Sequence, residues 1–192
     1  GPRFGKIMLN ATKAKAVRKI VQKEINKNSE TKQRAVTLTN TYGVTTIVTL
    51  LNLIAQGVGQ GERIGNQIRM TGLFIHGTWS VADTFNRVRV IIYTPRDPTV
   101  SLTGLTMDQI IDQDQINVHK DFYVNLVADA ANQISTMKVR IKFPGRGRVV
   151  QYADGTSTSY QKNALKMSIV SDSGFIPSPR FQGYYRLYYK DD

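Results

Sequence analysis

The sequence predicts an all-β body of about eight antiparallel strands, a sandwich or a jelly roll, behind an N-terminal basic α-helical arm. Three observations lead to this prediction. Segments of alternating apolar and polar residues follow one another from residue 35 to the C-terminus. Turn signals separate these segments, and the intervals are too short for the crossover helices that parallel strands need. Positive charge is concentrated ahead of the first strand.

The composition narrows the class of protein further. The chain has 192 residues, enough for one domain with a substantial core, and it has no cysteine. Disulfides, thiolate metal sites and cysteine nucleophiles are therefore excluded. The most apolar window, Val44 to Ala55, is shorter than the roughly 18 residues of a membrane helix, so no membrane partner is expected. Gly1-Pro2 is typical of a protease cleavage remnant, so the native N-terminus is expected upstream.

The charge is distributed unevenly along the chain. Residues 1–34 contain ten Lys/Arg and two Glu, a net charge of +8, whereas residues 35–192 have a net charge of only +4. A basic end on a nearly neutral body is typical of a protein that binds a polyanion. We therefore divide the chain into a basic arm, 1–34, and a β body, 35–192.

The arm is predicted to be helical over residues 11–32, with Asn10 or Thr12 as its N-cap. At about 100° per residue, one stripe of this helix is apolar and the opposite arc is cationic. The apolar stripe for self-association contains Val17, Ile20, Val21 and Ile25. The predicted nucleic-acid contacts of the arm are Lys13, Lys15, Arg18, Lys19, Lys23, Lys27, Lys32 and Arg34. Binding to phosphates should be salt-dependent and without base specificity. The alternative is a helix packed on its own body with a solvated charged face.

A glycine-rich segment, residues 56–61, precedes the first long strand. Its spacing does not match G-x-G-x-x-G, and no Gly-Lys-Ser/Thr follows, which excludes the common glycine-rich nucleotide loops. We therefore predict a mechanical hinge between arm and body. Arg63 and Arg69, just beyond it, are predicted to lie near the polyanion.

The long strand after this segment changes phase at Gly72. Ile68 and Met70 share one phase with Phe74, and beyond Gly72 the other phase, with Leu73, Ile75 and Trp79, becomes apolar. A glycine at a phase change predicts a β-bulge that bends the strand.

The remaining elements follow from alternation and turn residues. Strands are predicted at 35–39, 44–53, 85–94, 121–127, 137–143, 148–152, 165–171 and 183–190, and a short helix at 107–112. The segment 44–53 also fits a short helix, because periodicity does not separate the two for so short an apolar run. In the strand 85–94, Val88, Val90 and Ile92 are predicted to face the core, and Arg87 and Arg89 to face outward.

No catalytic constellation is present in the sequence. His76 and His119 have no plausible local partner, and no nucleophile motif occurs, so the chain is not predicted to be an enzyme. Four aspartates, Asp108, Asp112, Asp114 and Asp121, could gather calcium, but their spacing does not match an EF-hand loop. No cofactor is therefore assigned, and a structural calcium stays open.

A second cationic surface is predicted on the body. It comprises Arg87, Arg89, Lys138, Arg140, Lys142, Arg146 and Arg148. Three interpretations remain open: contact with nucleic acid, pairing with acidic groups of a neighbouring subunit, or simple exposure to solvent.

Several segments carry a resemblance to a known family. The arm segment AVRKIV (16–21), Gln56-Gly57, RIGNQIR (63–69) and RVRVIIY (87–93) occur in this order within residues 11–97. This arrangement resembles the single jelly-roll capsid proteins of circular single-stranded DNA (CRESS) viruses and of satellite tobacco necrosis virus. Members of this family often carry a longer arginine-rich tail than this chain does.

The resemblance implies an eight-stranded jelly roll that assembles into a T=1 icosahedral shell around a single-stranded DNA or RNA genome. It further implies arm helices on the inner surface that bundle at threefold axes, with Val17, Ile20 and Val21 as the seam. The expected location is the virion, with the host nucleus during assembly for a circular DNA virus. Two alternatives are a non-assembling cellular nucleic-acid-binding β-domain and a jelly-roll lectin or cupin-type enzyme.

Overall fold

The computed structural model describes residues 11–28, 30–128, 134–154 and 159–191, and within the helix it describes the side chains of residues 13–21. The chain forms two compact units, Gly1–Glu30 and Thr31–Asp192. The first contains helix α1 (Ala11–Asn28), which ends four residues before the predicted end at 32. The second unit begins four residues before the predicted boundary at 34/35. The reason is that the first strand already starts at Lys32.

The described part of the second unit contains ten strands. They are β1 (Lys32–Thr41), β2 (Ile47–Leu50), β3 (Gln67–Ser80), β4 (Phe85–Pro95), β5 (Ile116–Val127), β6 (Ile134–Lys142), β7 (Arg148–Tyr152), β8 (Tyr160–Lys162), β9 (Lys166–Ser171) and β10 (Arg180–Asp191). All pairs formed by these ten strands are antiparallel, as predicted.

The strands form two sheets with the order of a jelly roll. The six-stranded sheet has the order β1-β10-β3-β7-β8, with β6 also paired to β3, and the four-stranded sheet has the order β2-β9-β4-β5. Strands β6 and β7 lie along consecutive stretches of β3, so they occupy one position in the sheet. The four-stranded sheet then has four positions and the six-stranded sheet has five, with β8 at its edge, and the connections repeatedly cross between the sheets. The predicted fold class, an all-β antiparallel jelly roll with a basic helical arm, is confirmed, and the described residues form ten strands where eight were predicted.

The main core lies between the two sheets. Its largest side chain is Trp79, which is fully buried against Tyr42 and Phe181. The inward positions predicted for Val88, Val90 and Ile92 are confirmed. On β10, Tyr185, Leu187 and Tyr189 alternate in the same way and are buried. These inward positions could be predicted because residues alternate between the two sides of an antiparallel strand and one face of each sheet must be apolar.

A smaller core cluster lies on the outer side of the four-stranded sheet. It consists of Ile91, Tyr93, Leu105, Ile116 and Val170. The β4–β5 connection, residues 96–115, contributes Leu105 to this cluster and so lies over the outer face. One side of this sheet therefore packs on the main core and the other on its own connecting segment.

The predicted bulge at Gly72 is present. Tyr188 of β10 lies opposite Gly72 and Tyr189 lies opposite Met70, so Thr71 has no partner across the ladder. The extra residue inverts the alternation, since Ile68 and Met70 are buried before it and Leu73 and Ile75 after it. Phe74, in phase with Met70 in the sequence, lies consequently on the outer side of the sheet.

Three predicted elements differ from the structure. Residues 107–112 form turns and irregular backbone, because the carbonyls of Met107 and Gln109 accept hydrogen bonds from the Arg89 guanidinium. The segment 44–53 contains only the short strand β2. The predicted hinge at residues 56–61 is wrong, since this segment connects β2 to β3 within the body.

Candidate nucleic-acid interface

Helix α1 exposes basic and apolar side chains on the same short element. Lys13, Lys15, Arg18 and Lys19 are exposed, as predicted for contacts with phosphate. The seam residues Val17, Ile20 and Val21 are 52%, 63% and 51% exposed. The side chains of Lys23, Ile25 and Lys27 lie outside the described residues. An isolated helix of 18 residues is only marginally stable in water, so an exposed apolar stripe indicates a packing partner for α1.

Lys32 and Arg34 belong to the body, which corrects their assignment to the arm. Lys32 is 8% exposed, and its Nζ lies 2.7 Å from Asp191 Oδ2. Arg34 is half-buried on the inward side of β1. Burial raises the pKa of Tyr185, and the positive charge of Arg34 partly offsets that rise. The predicted phosphate contact of Lys32 is therefore wrong, because its ammonium group is in a buried ion pair, whereas that of Arg34 stays a prediction.

Arg63 holds the glycine-rich segment together from the inside. It is fully buried, and its Nε donates to the Ile54 carbonyl at 3.0 Å, while Nη2 donates to the Asp154 carbonyl at 2.9 Å. Its Nη1 donates to the Gly65 carbonyl, and the guanidinium lies 4.1 Å above the centre of the Tyr152 ring. The predicted nucleic-acid contact at Arg63 is wrong, since no part of this guanidinium reaches solvent.

The charge of the molecule is divided equally between the two units. Residues 1–30 contain eight Lys/Arg and two Glu, and residues 31–192 contain 18 Lys/Arg and 12 Asp/Glu, so each unit has a net charge of +6. The net charge of the first unit is lower than the +8 counted for residues 1–34, because Lys32 and Arg34 belong to β1. The body therefore carries as much net positive charge as the arm.

The predicted second cationic surface does not form one surface. Arg89 is 5% exposed, and it forms a two-point ion pair with Asp121 at 3.0 and 2.8 Å. This hydrogen-bonded carboxylate raises the pKa of Arg89. Arg89 lies on the outward side of β4, as predicted, but the 96–115 segment covers that side and buries the guanidinium. Arg87 remains exposed, and its guanidinium lies 4.1 Å above the Tyr123 ring on the four-stranded sheet.

The aspartates considered for calcium have other roles. Asp121 pairs with Arg89, Asp112 accepts from the backbone N–H of Asp114 at 2.9 Å, and Asp108 accepts from the Thr106 hydroxyl at 3.1 Å. Within the described ranges, no group of three or more His, Asp or Glu side chains could hold a metal ion.

His119 lies in a basic cleft between β5 and β6. Its Nε2 is 2.8 Å from the Thr94 hydroxyl and 3.4 Å from Arg148 Nη1. Burial, and secondarily the charge of Arg148, lowers the pKa of His119 to about 4. The imidazole is therefore neutral at pH 7, and it packs edge-on against Phe143 at 5.4 Å. Lys120, Arg140 and Lys142 also line this cleft.

The outer face of the six-stranded sheet combines aromatic rings with cations. We call this surface the open face and define it by Phe74, His76, Lys138, Arg140, Lys142, Tyr184 and Arg186. In one row across the sheet, Arg186, Phe74 and Arg140 are direct neighbours, and in the next row Tyr184, His76 and Lys138 are. Arg140 lies 5.0 Å from the centre of the Phe74 ring, and Arg186 lies 5.3 Å from that of Tyr184.

The strands of the two sheets differ strongly in charge. Those of the six-stranded sheet contain eleven Lys/Arg and one acidic residue, Asp191, whereas those of the four-stranded sheet contain four Lys/Arg and one acidic residue, Asp121. Sequence reasoning identified Lys138, Arg140 and Lys142 but not Phe74, Tyr184 and Arg186 as neighbours of that group. The bulge at Gly72 is the sequence signal for Phe74, because it turns Phe74 and His76 outward. Alternation along β10 is the signal for Tyr184 and Arg186. Arg69 occupies an outward position on β3, and its contact with nucleic acid stays a prediction.

Comparison with known proteins assigns the chain to no family. No protein-family model and no curated protein sequence matches the chain. A solved structure from Desmodium yellow mottle tymovirus is similar over 84% of this chain and 87% of that chain, with 10% sequence identity and a TM-score of 0.41. A match at this level of similarity assigns neither a family nor a function. Within the described residues, no helix is long and apolar enough to cross a membrane.

Proposed function

We propose that this chain is a viral capsid protein whose jelly-roll body forms a shell and whose basic arm binds the enclosed single-stranded genome. The observation that carries the proposal is the combination of a jelly-roll strand order with a separate basic helix that exposes an apolar stripe. A jelly roll alone serves many functions. A short basic helix with an exposed seam has no evident use in a protein that remains a monomer.

The arm supports both halves of this proposal. Val17 and Val21 lie one turn apart, and Ile20 lies beside them, so the three form a narrow seam for other arm helices. Lys15, Arg18 and Lys19 lie on other sides of the helix. Copies that bundle through the seam would therefore present their cations outward, where phosphates release condensed counterions on binding. A T=1 shell with arm bundles at its threefold axes is the assembly that we propose.

We also propose that the role is structural and not catalytic. His119 is neutral and hydrogen-bonded to Thr94, and Asp121 is ion-paired with Arg89. These groups stabilise the body, and neither is poised for proton transfer to a substrate.

Electron microscopy of the purified chain tests the proposal. At low salt, near neutral pH and with added single-stranded DNA, we expect uniform closed particles that contain nucleic acid, as measured by the absorbance ratio at 260 and 280 nm. Only monomers or small oligomers under these conditions would overturn it. Changing Val17, Ile20 and Val21 together to serine should strongly reduce the particle yield, whereas Ala16→Ser, outside the seam on the same helix, should not.

A second candidate function is a nucleic-acid-binding β-domain that does not assemble. The observation that favours it is the charge of the body, which has a net +6 without the arm. This candidate predicts reversible binding of single-stranded DNA by a monomer or dimer in light scattering. The same preparation therefore distinguishes the two functions.

A further inference from the structure

We propose that the open face of the six-stranded sheet binds single-stranded nucleic acid, with bases stacked on its aromatic rings and phosphates held by the flanking cations. This is a second site, on the body, distinct from the arm. It depends neither on the arm nor on assembly, because every residue that forms it lies in the unit Thr31–Asp192.

The rings form a continuous group at the centre of the sheet. The ring centres of Phe74 and His76 are 5.8 Å apart, those of His76 and Tyr184 are 5.9 Å apart, and those of Phe74 and Tyr184 are 6.2 Å apart. Strands β3 and β10, which carry them, are neighbours inside the sheet, so the rings stand on a rigid base. An aromatic side chain stacks on any base, which gives binding without a strong sequence preference.

Cations flank the rings on both sides. Arg186 and Arg140 lie on opposite sides of Phe74 in one row, and Lys138 and Lys142 continue the positive edge along β6. The outward positions of the strands in this sheet carry seven Lys/Arg, namely Arg69, Lys138, Arg140, Lys142, Arg180, Arg186 and Lys190, and no Asp or Glu. A surface with positive charges around half-buried rings is complementary to a polyanion whose bases are free to stack.

The choice of a single strand follows from the same geometry. In a duplex, base faces are stacked on one another, so rings on a flat sheet cannot reach them. An acidic protein segment would satisfy the cations but would have no use for the rings. Charge and rings together therefore favour an unpaired nucleic acid over both alternatives.

The open face has an internal control on the other sheet. Arg87 lies 4.1 Å above the Tyr123 ring on the four-stranded sheet, so an arginine next to an aromatic ring occurs there too. That pair lacks the neighbouring rings, and Arg89, which lies 5.7 Å from the centre of the Tyr123 ring, is ion-paired with Asp121 on the same strand as Tyr123. If binding of single-stranded DNA requires several rings together with flanking cations, the DNA should bind to the open face and not to the Arg87–Tyr123 pair.

The experiment uses the full chain with the six cations of α1 replaced by Lys13→Gln, Lys15→Gln, Arg18→Gln, Lys19→Gln, Lys23→Gln and Lys27→Gln. Binding of a fluorescein-labelled dT20 oligonucleotide is measured by fluorescence anisotropy between 50 and 300 mM NaCl. Phe74→Leu and Tyr184→Leu should each weaken binding roughly tenfold, with an unchanged slope of log affinity against log salt. Arg140→Gln and Arg186→Gln should each lower that slope by about 0.7.

Controls define what would overturn the proposal. Tyr184→Phe keeps the ring and should bind like the parent, and Arg87→Gln and Tyr123→Leu should also be neutral. The proposal fails if the ring variants bind as tightly as the parent, if Arg87→Gln weakens binding as much as Arg186→Gln, or if polyglutamate competes as well per charge as dT20. Equal melting temperatures of all variants show that each is folded. Because particles are not required, failure here leaves the capsid proposal to its own electron-microscopy test.

Discussion

The outer faces of the two sheets differ in what covers them. The 96–115 segment lies over the four-stranded sheet, and buried polar contacts hold it there: Arg89 donates to the carbonyls of Thr106 and Gln109, and Lys166 donates to those of Pro98 and Val100. The six-stranded sheet has no comparable connection over Phe74 and its neighbours among the described residues, and its cations remain near the surface. Cations thus stabilise the fold on one sheet, whereas Lys138, Arg140 and Arg186 on the other remain exposed.

This comparison predicts that cations of the covered face contribute much to stability. Arg89→Met should lower the free energy of unfolding by about 3 kcal/mol, because it leaves Asp121 and the loop carbonyls without their donor. Urea unfolding measures the change. Arg87→Met, two residues away on the same strand but exposed, should cost less than about 1 kcal/mol. Equal losses for both variants would contradict the distinction between covered and exposed arginines.

Replacing Lys166, which binds another part of the 96–115 segment, should also destabilise the protein. Its Nζ donates to Pro98 O and Val100 O, both at 2.7 Å, and lies 2.8 Å from Ser101 Oγ, while burial lowers its pKa. Lys166→Met should destabilise the protein by about 2 kcal/mol, since these acceptors lose their donor. Hydrogen exchange should become faster in residues 98–106 and remain unchanged in β10. Uniform acceleration throughout the body would show that the lysine does not act on this segment.

His119 links stability to pH at the edge where β5 meets β6. Its folded-state pKa of about 4 is below the ordinary value of 6.5, so folding favours the neutral imidazole. This contribution is complete above pH 6.5 and is lost as the pH falls toward 4, by about 2 kcal/mol after allowance for partial exposure. His119→Gln should remove this part of the pH dependence, whereas His76→Gln should not. Identical unfolding free-energy profiles for parent and His119→Gln between pH 4 and 7 would contradict the assignment.

The smallest effects on stability are expected on the open face. Arg186→Gln should change the free energy of unfolding by less than about 0.5 kcal/mol, because the side chain is exposed on the outer side of β10. Leu187, the next residue, is fully buried, and Leu187→Ala should cost about 2–5 kcal/mol. Thermal unfolding of the two variants makes the comparison. A large loss for Arg186→Gln would mean that the open face is structural and would weaken its assignment as a binding surface.

Local patterns predicted much of the fold correctly. The inward sides of β4, β6 and β10 follow from alternation, which depends only on neighbouring residues and on one apolar face for each sheet. The bulge at Gly72 was also predicted from the sequence, since a change of alternation within one strand is a local signal. The boundary of the arm was missed because the charges of Lys32 and Arg34 resemble those of α1, although both residues lie in β1.

The sequence by itself therefore determined the class of fold, the basic amphipathic helix and the side of each strand that is apolar. Only the tertiary structure decided what each cation does, because alternation assigns a residue to a side of a strand and not to what covers that side. Arg63 and Arg89 are buried by segments distant in sequence, with Asp154 and the 96–115 segment as their partners. Arg186 and Arg140 meet Phe74 only through the pairing of β10 and β6 with β3. These contacts are long-range, and no local pattern specifies them.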